Sequence, residues 1–149
     1  MTPGELTAIL RRNIPLLGAV GVEAVALSPE AVTLRAPLAA NLNHHGSAFG
    51  GSLALVAIIA GWSMVDVALA ARGRHVQVMI QRSEIKYLSP VTGDFLARTM
   101  LASAVDWQRF EQMLDRRGRG RVTLVTELLQ VDTVVARHTG TFAASLYAR

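Results

Sequence analysis

Residues 41–66 read NLNHHGSAFGGSLALVAIIAGWSMVD, and this stretch decides the fold. It opens with polar residues suited to a binding loop, passes Gly46, Gly50 and Gly51, and then runs apolar from Leu53. A loop is expected to feed a buried helix here. Glycines let a backbone take positive φ and approach a ligand closely. The first N–H groups of the following helix lack intrahelical partners, so its N-terminus suits an anion or a developing oxyanion.

The span from Ser52 to Ala71 also matches a bilayer crossing of about 20 residues. It carries one charge, Asp66, and is rich in alanine with Gly61 near its middle. A helix apolar on all sides belongs inside a protein or inside a membrane. Strand patterns on both sides favour the protein, because a sheet wrapped around the helix covers every side of it.

Upstream, Thr2-Pro3-Gly4-Glu5 has the form of a helix start, with Leu6, Ile9 and Leu10 on one face and Pro15 as the boundary. Val20–Leu27 and Ala31–Ala36 are expected as strands joined at Ser28-Pro29-Glu30. Downstream, His75–Leu88 is a long strand candidate whose apolar parity changes between Ile80 and Ile85, which predicts a bulge within Gln81–Glu84. Phe95–Val105 follows as a strand. Asp106 is a candidate cap for a short helix with Trp107, Phe110, Met113 and Leu114 at helical spacing. Arg116–Arg121 reads as a basic loop, and Val122–Val131 and Val134–Leu146 as strands joined at Asp132-Thr133.

The expected architecture is α+β: a curved antiparallel sheet around one long helix, with short helices early and late. The 149 residues suit one domain spanning residues 1–149. Open sheet edges in such a layout call for a dimer with a continuous sheet. The absence of cysteine excludes disulfides, thiolate metal sites and a Cys nucleophile. An early Glu5 and no uninterrupted apolar run before a small-residue cleavage site argue against a secretory signal, so a cytoplasmic protein is expected. The net charge of +4 is too modest to name nucleic acid as a partner.

The run Asn41-x-Asn43-His44-x-Gly46-Ser47-Ala48-Phe49-Gly50-Gly51-Ser52, leading into Gly61-Trp62, resembles the hot-dog fold. More narrowly, it resembles the putative thioesterase domain family that also occurs fused behind a GNAT-type acetyltransferase domain. Ser83-Glu84-Ile85-x-Tyr87-Leu88-x-Pro90-Val91-x-Gly93-Asp94 carries the second half of the likeness. The resemblance implies an acyl-thioester substrate, acyl-coenzyme A or acyl carrier protein, with the acyl group near the helix N-terminus at a subunit interface. Coenzyme A enters only as part of the substrate, and no separate cofactor or metal is implied.

Hydrolysing a thioester needs a polarised carbonyl, for which the N–H of Gly51 or Ser52 is the candidate donor. It also needs an activated water. Better-understood hot-dog thioesterases carry an Asp or Glu about two turns into the helix, and here the positions around Ile58 are apolar. Asp66 is the helix's only acid and lies roughly 20 Å from Gly51 at 1.5 Å per residue.

The catalytic candidates are therefore Asn43, His44, Gly51 and Ser52. His44 is read as a base or water orienter, with an exposed loop residue as the plain alternative. Asn43 is its polar partner or a turn stabiliser. Ser52 contributes a hydroxyl or caps the helix; it does not form a G-x-S-x-G nucleophile motif.

Gly46, Ser47, Phe49, Gly50, Trp62 and Tyr87 are candidates for substrate contact. Arg116, Arg117 and Arg119 read as solvated surface, as phosphate ligands for coenzyme A or an acidic carrier, or, least favoured, as a nucleic-acid contact. His75 and His138 fall in strand patterns and read as structural. Two activities fit: thioester hydrolysis, or non-hydrolytic binding of an acyl thioester or apolar ligand.

Overall fold

The computed structural model describes residues 1–147. Helix α1 (Pro3–Asn13) begins with a reciprocal cap, in which the Thr2 hydroxyl accepts from the Glu5 N–H and the Glu5 carboxylate accepts from the Thr2 N–H. A second, five-residue helix α2 (Pro15–Ala19) follows and was not expected. It displaces the first strand, β1 (Glu23–Ser28), three residues beyond the expected start at Val20. A bulge between Ala24 and Ala26 explains why that strand alternates only roughly.

The remaining elements are β2 (Ala31–Ala36), α3 (Gly50–Ala70), β3 (Val76–Tyr87), β4 (Phe95–Met100), α4 (Ala104–Arg117), β5 (Arg119–Gln130) and β6 (Thr133–Leu146). The six strands form one antiparallel sheet in the order β1-β2-β4-β5-β6-β3. Its inner face presents Leu34, Phe95, Leu124, Phe142 and their neighbours to α3. The expected hot-dog architecture is present: the alanine-rich helix lies inside the sheet, with 13 of its 21 residues buried.

Small residues on α3 let the helix approach the strands. Gly61 is the closest point: a Cβ there would lie 2.5 Å from Cζ of Phe142. The bulge in β3 falls between Ile80 and Arg82, inside the expected window. Beyond it Ser83, Ile85 and Tyr87 share the helix-facing side, whereas Val76, Val78 and Ile80 occupy that side before it.

Two expectations around α4 are corrected. The strand before it stops at Met100 instead of Val105, and Ser103 is the cap. The Ser103 hydroxyl accepts from the Asp106 N–H and donates to the Asp106 carboxylate, so Asp106 serves within the first turn. Residues 116–121 are not a loop. Arg116 and Arg117 end α4, Gly118 alone turns the chain at φ +69, and Arg119 already begins β5.

The two sheet edges differ. On β1, the Thr7 hydroxyl accepts from the Ala24 N–H and the Arg11 guanidinium donates to the Val22 carbonyl, so α1 covers that edge. The β3 edge pairs only with β6 among the described residues, and Met79 on it is exposed.

Candidate active site

The loop before α3 is a short hairpin closed by a bridge between Leu42 and Ala48. Asn41 anchors its base: the buried side-chain amide donates to the carbonyls of Val20 and Pro37, and the Asn41 backbone carbonyl accepts from the Phe49 N–H. Asn43 shapes the turn. Its Oδ1 accepts from the N–H groups of His45 and Ser47, and its Nδ2 donates to the Ser47 hydroxyl at 2.9 Å. That side chain is committed to the hairpin, so Asn43 fixes the position of its neighbour His44. His44 is carried exposed near the tip, its ring centroid 3.8 Å from that of His45.

The hairpin delivers the chain to α3 with no side-chain cap on the helix. The Ser52 N–H donates to the Phe49 carbonyl at 2.9 Å, and Ser52 itself is buried. Neither its N–H nor a capping role is therefore free for the part suggested by the sequence. The N–H groups of Gly50 and Gly51 donate to no atom among the described residues. They are the free donors of the positive end of a 21-residue helix.

Two exposed aromatic rings flank these glycines. A Cβ on Gly51 would lie 2.4 Å from Cε1 of Phe49, and one on Gly50 would lie 3.3 Å from the Tyr87 hydroxyl. The Tyr87 hydroxyl donates to the Gly50 carbonyl at 2.8 Å. A side chain at Gly51 would have to displace the exposed Phe49 ring, which occupies that space. A groove of about 370 Å³ opens beside Gly50 and Leu53 and runs along Leu88 and Val91, with Ser47 at its rim. Its volume falls in the range of small-molecule sites.

Other candidates lie elsewhere. Gly46, at φ +78, turns the hairpin tip. The Trp62 indole donates to the Val78 carbonyl at 2.9 Å, roughly 16 Å along the helix from Gly51. Arg116, Arg117 and Arg119 gather at the opposite end of α3, where Arg74 pairs with Asp115 at 3.0 Å and Arg119 aligns with Ser145. A helix of 21 residues separates them from Gly51 by about 30 Å within one chain. A basic groove there is lined by Arg117, Arg119, Arg121 and Gln81. Asp94 is held by Arg35 and accepts from the Leu38 N–H, which leaves it in a structural network. The described residues contain no cluster of three metal-ligating side chains.

One constellation was not singled out by the sequence. A row of polar side chains crosses the inner face of the sheet, from Thr99 and Thr126, hydroxyl to hydroxyl, to His138, which is in register with Thr126. His138 is 0% exposed, and its Nε2 meets the Ser83 hydroxyl at 2.8 Å on the exposed strand β3. Burial lowers the imidazole pKa, favouring its neutral form. The parity change in β3 was the local signal for Ser83. Its coupling to His138 depends on strand pairing across 55 residues.

The sequence model of the family described as "Putative thioesterase (yiiD_Cterm)" matches residues 4–146. The chain belongs to this family. Solved structures repeat the fold: a protein of unknown function from Chlorobaculum tepidum superposes with a TM-score of 0.88 at 23% identity, over 96% of this chain and 93% of that one. A putative thioesterase from Shewanella oneidensis gives 0.83 at 21% identity over 97% of each chain. A probable thioesterase from Pseudomonas aeruginosa gives 0.82 at 24% identity, covering 98% and 97%. Within the yiiD_Cterm family, this chain thus has an uncapped helix end between two aromatic rings and no acid in the first four turns of α3.

Proposed function

We propose that this protein hydrolyses an acyl thioester, carried on coenzyme A or acyl carrier protein, with the thioester carbonyl held at the N-terminus of α3. The observation that carries this reading is the pair of N–H groups on Gly50 and Gly51 without a partner among the described residues, beside a groove that Gly50 and Tyr87 line. As the carbonyl becomes tetrahedral, negative charge grows on its oxygen, and a preorganised N–H at the positive end of a helix stabilises that charge more than the ground state. Gly51 is the donor, and Phe49, Gly50, Tyr87 and Ser47 line the approach. His44 is the loop group able to accept a proton from an attacking water.

The working unit in this reading is a cytoplasmic homodimer, or a dimer of dimers, formed along the uncovered β3 edge. Antiparallel pairing of two β3 strands sets the start of one on the same side as the end of the other. The arginine-rich end of one copy then lies towards the Gly51 groove of its neighbour, which suits Arg116, Arg117 and Arg119 to the phosphates of coenzyme A or an acidic carrier. No separate cofactor is required.

Release of free thiol from acyl-coenzyme A chains of graded length tests the activity, with His44→Ala and Asn43→Ala compared with the parent. Loss of turnover in His44→Ala supports the base assignment; survival in both variants rejects it and keeps the activity. The lack of a carboxylate in the first turns of α3 favours one second reading, a non-hydrolytic binder of acyl thioesters or apolar ligands. Tight binding without turnover of any chain length selects that reading.

A further inference from the structure

We infer that Ser83 and His138 form a nucleophile–base pair, with the Ser83 hydroxyl attacking the acyl carbon. The inference rests on the thioester reading above and supplies a nucleophile and base already joined by a hydrogen bond, in place of water and the loop imidazole. Three features support it.

The first is geometric. Ser83 Oγ and His138 Nε2 are 2.8 Å apart, a hydrogen-bond distance suited to proton transfer. The two belong to different strands, and Gly140 makes room for the ring, since a Cβ there would lie 2.9 Å from His138 Cε1.

The second is the division of exposure. His138 is wholly buried, whereas Ser83 stands on the open β3 edge, so only the nucleophile meets a substrate. A polar row ending in a buried imidazole inside an apolar core calls for a specific role. His138 Nδ1 is buried without a hydrogen-bond partner. For Nε2 to accept the serine proton, Nδ1 carries the ring's own proton.

The third is the bulge, which turns Ser83, Ile85 and Tyr87 towards the helix. Ser83 lies four residues before Tyr87, about 13 Å back along the strand. The N–H of Gly51 in the same chain is therefore out of its reach. A second copy paired antiparallel along β3, with its two-fold axis near Ile85, brings its own Tyr87 and helix end level with Ser83. The complete site then takes its nucleophile from one copy and its oxyanion donor from the other.

The step balances. Ser83 Oγ bonds to the acyl carbon as its proton passes to His138 Nε2. The carbon–sulfur bond breaks, and the departing thiolate takes that proton. Water then attacks the acyl-serine, giving a proton to Nε2, and the proton returns to Oγ as the ester bond breaks.

A fluorophosphonate probe on the full chain, followed by peptide mapping, reads the pair independently of thioester turnover. The expected adduct is on Ser83, absent in Ser83→Ala and at least about tenfold slower to form in His138→Gln. Because Ser83 is exposed, Ser83→Ala is the variant expected to keep its fold, and its kcat on acyl-coenzyme A should fall at least about a hundredfold. An adduct on Ser83 without turnover of any acyl-coenzyme A or acylated carrier protein upholds the pair and removes the thioester reading. Turnover without that adduct, or undiminished turnover in Ser83→Ala, overturns the pair and leaves the thioester reading intact.

Mixing Ser83→Ala with Gly51→Pro, which deletes the donor N–H, tests the shared site. Random pairing of the two chains should restore about a quarter of parental activity. No recovery overturns the two-copy arrangement.

Discussion

The Tyr87 hydroxyl donates to the Gly50 carbonyl at 2.8 Å and ties the end of β3 to the first residue of α3. This bond holds an exposed ring over the helix end, where the groove begins. Removing it in Tyr87→Phe deletes one partly solvated hydrogen bond, and stability should fall by only about 0.5–1 kcal/mol. Orientation at the helix end is more sensitive, and kcat/KM for an acyl-coenzyme A should drop about tenfold. A chemical denaturation curve beside steady-state kinetics separates the two effects; equal, small changes in both would remove Tyr87 from the site.

Gly51→Ala tests the neighbouring ring. The added Cβ meets the far end of the Phe49 side chain, which is 58% exposed and free to swing aside. Stability should stay within about 0.5 kcal/mol of the parent, because alanine suits a helix better than glycine and offsets the small displacement. A displaced ring changes the approach to the Gly51 N–H, so kcat/KM should fall at least about tenfold. Adding Phe49→Ala to the variant should recover part of the loss, whereas a further loss would mean that the ring itself holds substrate.

Much of the fold can be read directly from the sequence because its strongest constraints are local. An alanine-rich span apolar on every side demands a wrapping sheet, and the parity shift from Ile80 to Ile85 predicts the bulge later found at Gln81. Helix α2 is not legible in the sequence because five residues carry no periodicity. The arginine run reads as a loop because a single left-handed Gly118 is enough to join a helix to a strand. At the site, the two glycines announce the helix end, but the rings on either side of them do not. Tyr87 arrives from 37 residues away, and His138 acquires its partner only through the register of β3 on β6.

Gly61→Ala should behave unlike Gly51→Ala. Its Cβ would stand 2.5 Å from the Phe142 ring, which is fully buried. The backbone at Gly140 crowds the same two ring atoms, with a hypothetical Cβ 2.8 Å from Cε2 and 3.1 Å from Cζ, and the ring lies in the packed core. A helix-propensity gain of about 1 kcal/mol is opposed by an overpacking cost of about 1–3 kcal/mol, and a net loss is expected. Combining Gly61→Ala with Phe142→Leu should cost less than the sum of the single changes. Urea midpoints at constant slope provide the measurement.

The buried His138 and the half-buried Asp66 give pH dependences of opposite sign. Burial lowers the His138 pKa below its usual 6.5, so the unfolded chain takes up this proton first. Its contribution is intact above that value and is lost as pH falls towards the lowered one. Burial raises the Asp66 pKa above its usual 3.8, with His75 opposing part of the shift. There the folded state holds the proton more tightly, and stability declines as pH rises from the usual value through the raised one. Asp66→Asn should therefore raise the melting temperature at neutral pH, with the gain vanishing in acid. A lower melting temperature at neutral pH would mean that the attraction to His75 outweighs desolvation.

Val131 sits at φ +55 in the two-residue connection between Gln130 and Thr133, and it is 81% exposed. A left-handed backbone costs an L-residue about 1–2 kcal/mol, and the branched Cβ of valine makes it an outlier there. Its side chain returns little through burial. Val131→Asn should therefore stabilise the protein by about 1 kcal/mol, because asparagine tolerates this conformation. Val131→Gly relieves the same strain but frees the unfolded chain, which removes about 0.5–1 kcal/mol of the gain. The expected order of urea midpoints is asparagine above glycine, with valine no higher than glycine. If alanine, which lacks both the branch and the local polar group, equals asparagine, the strain lies in the branched Cβ alone.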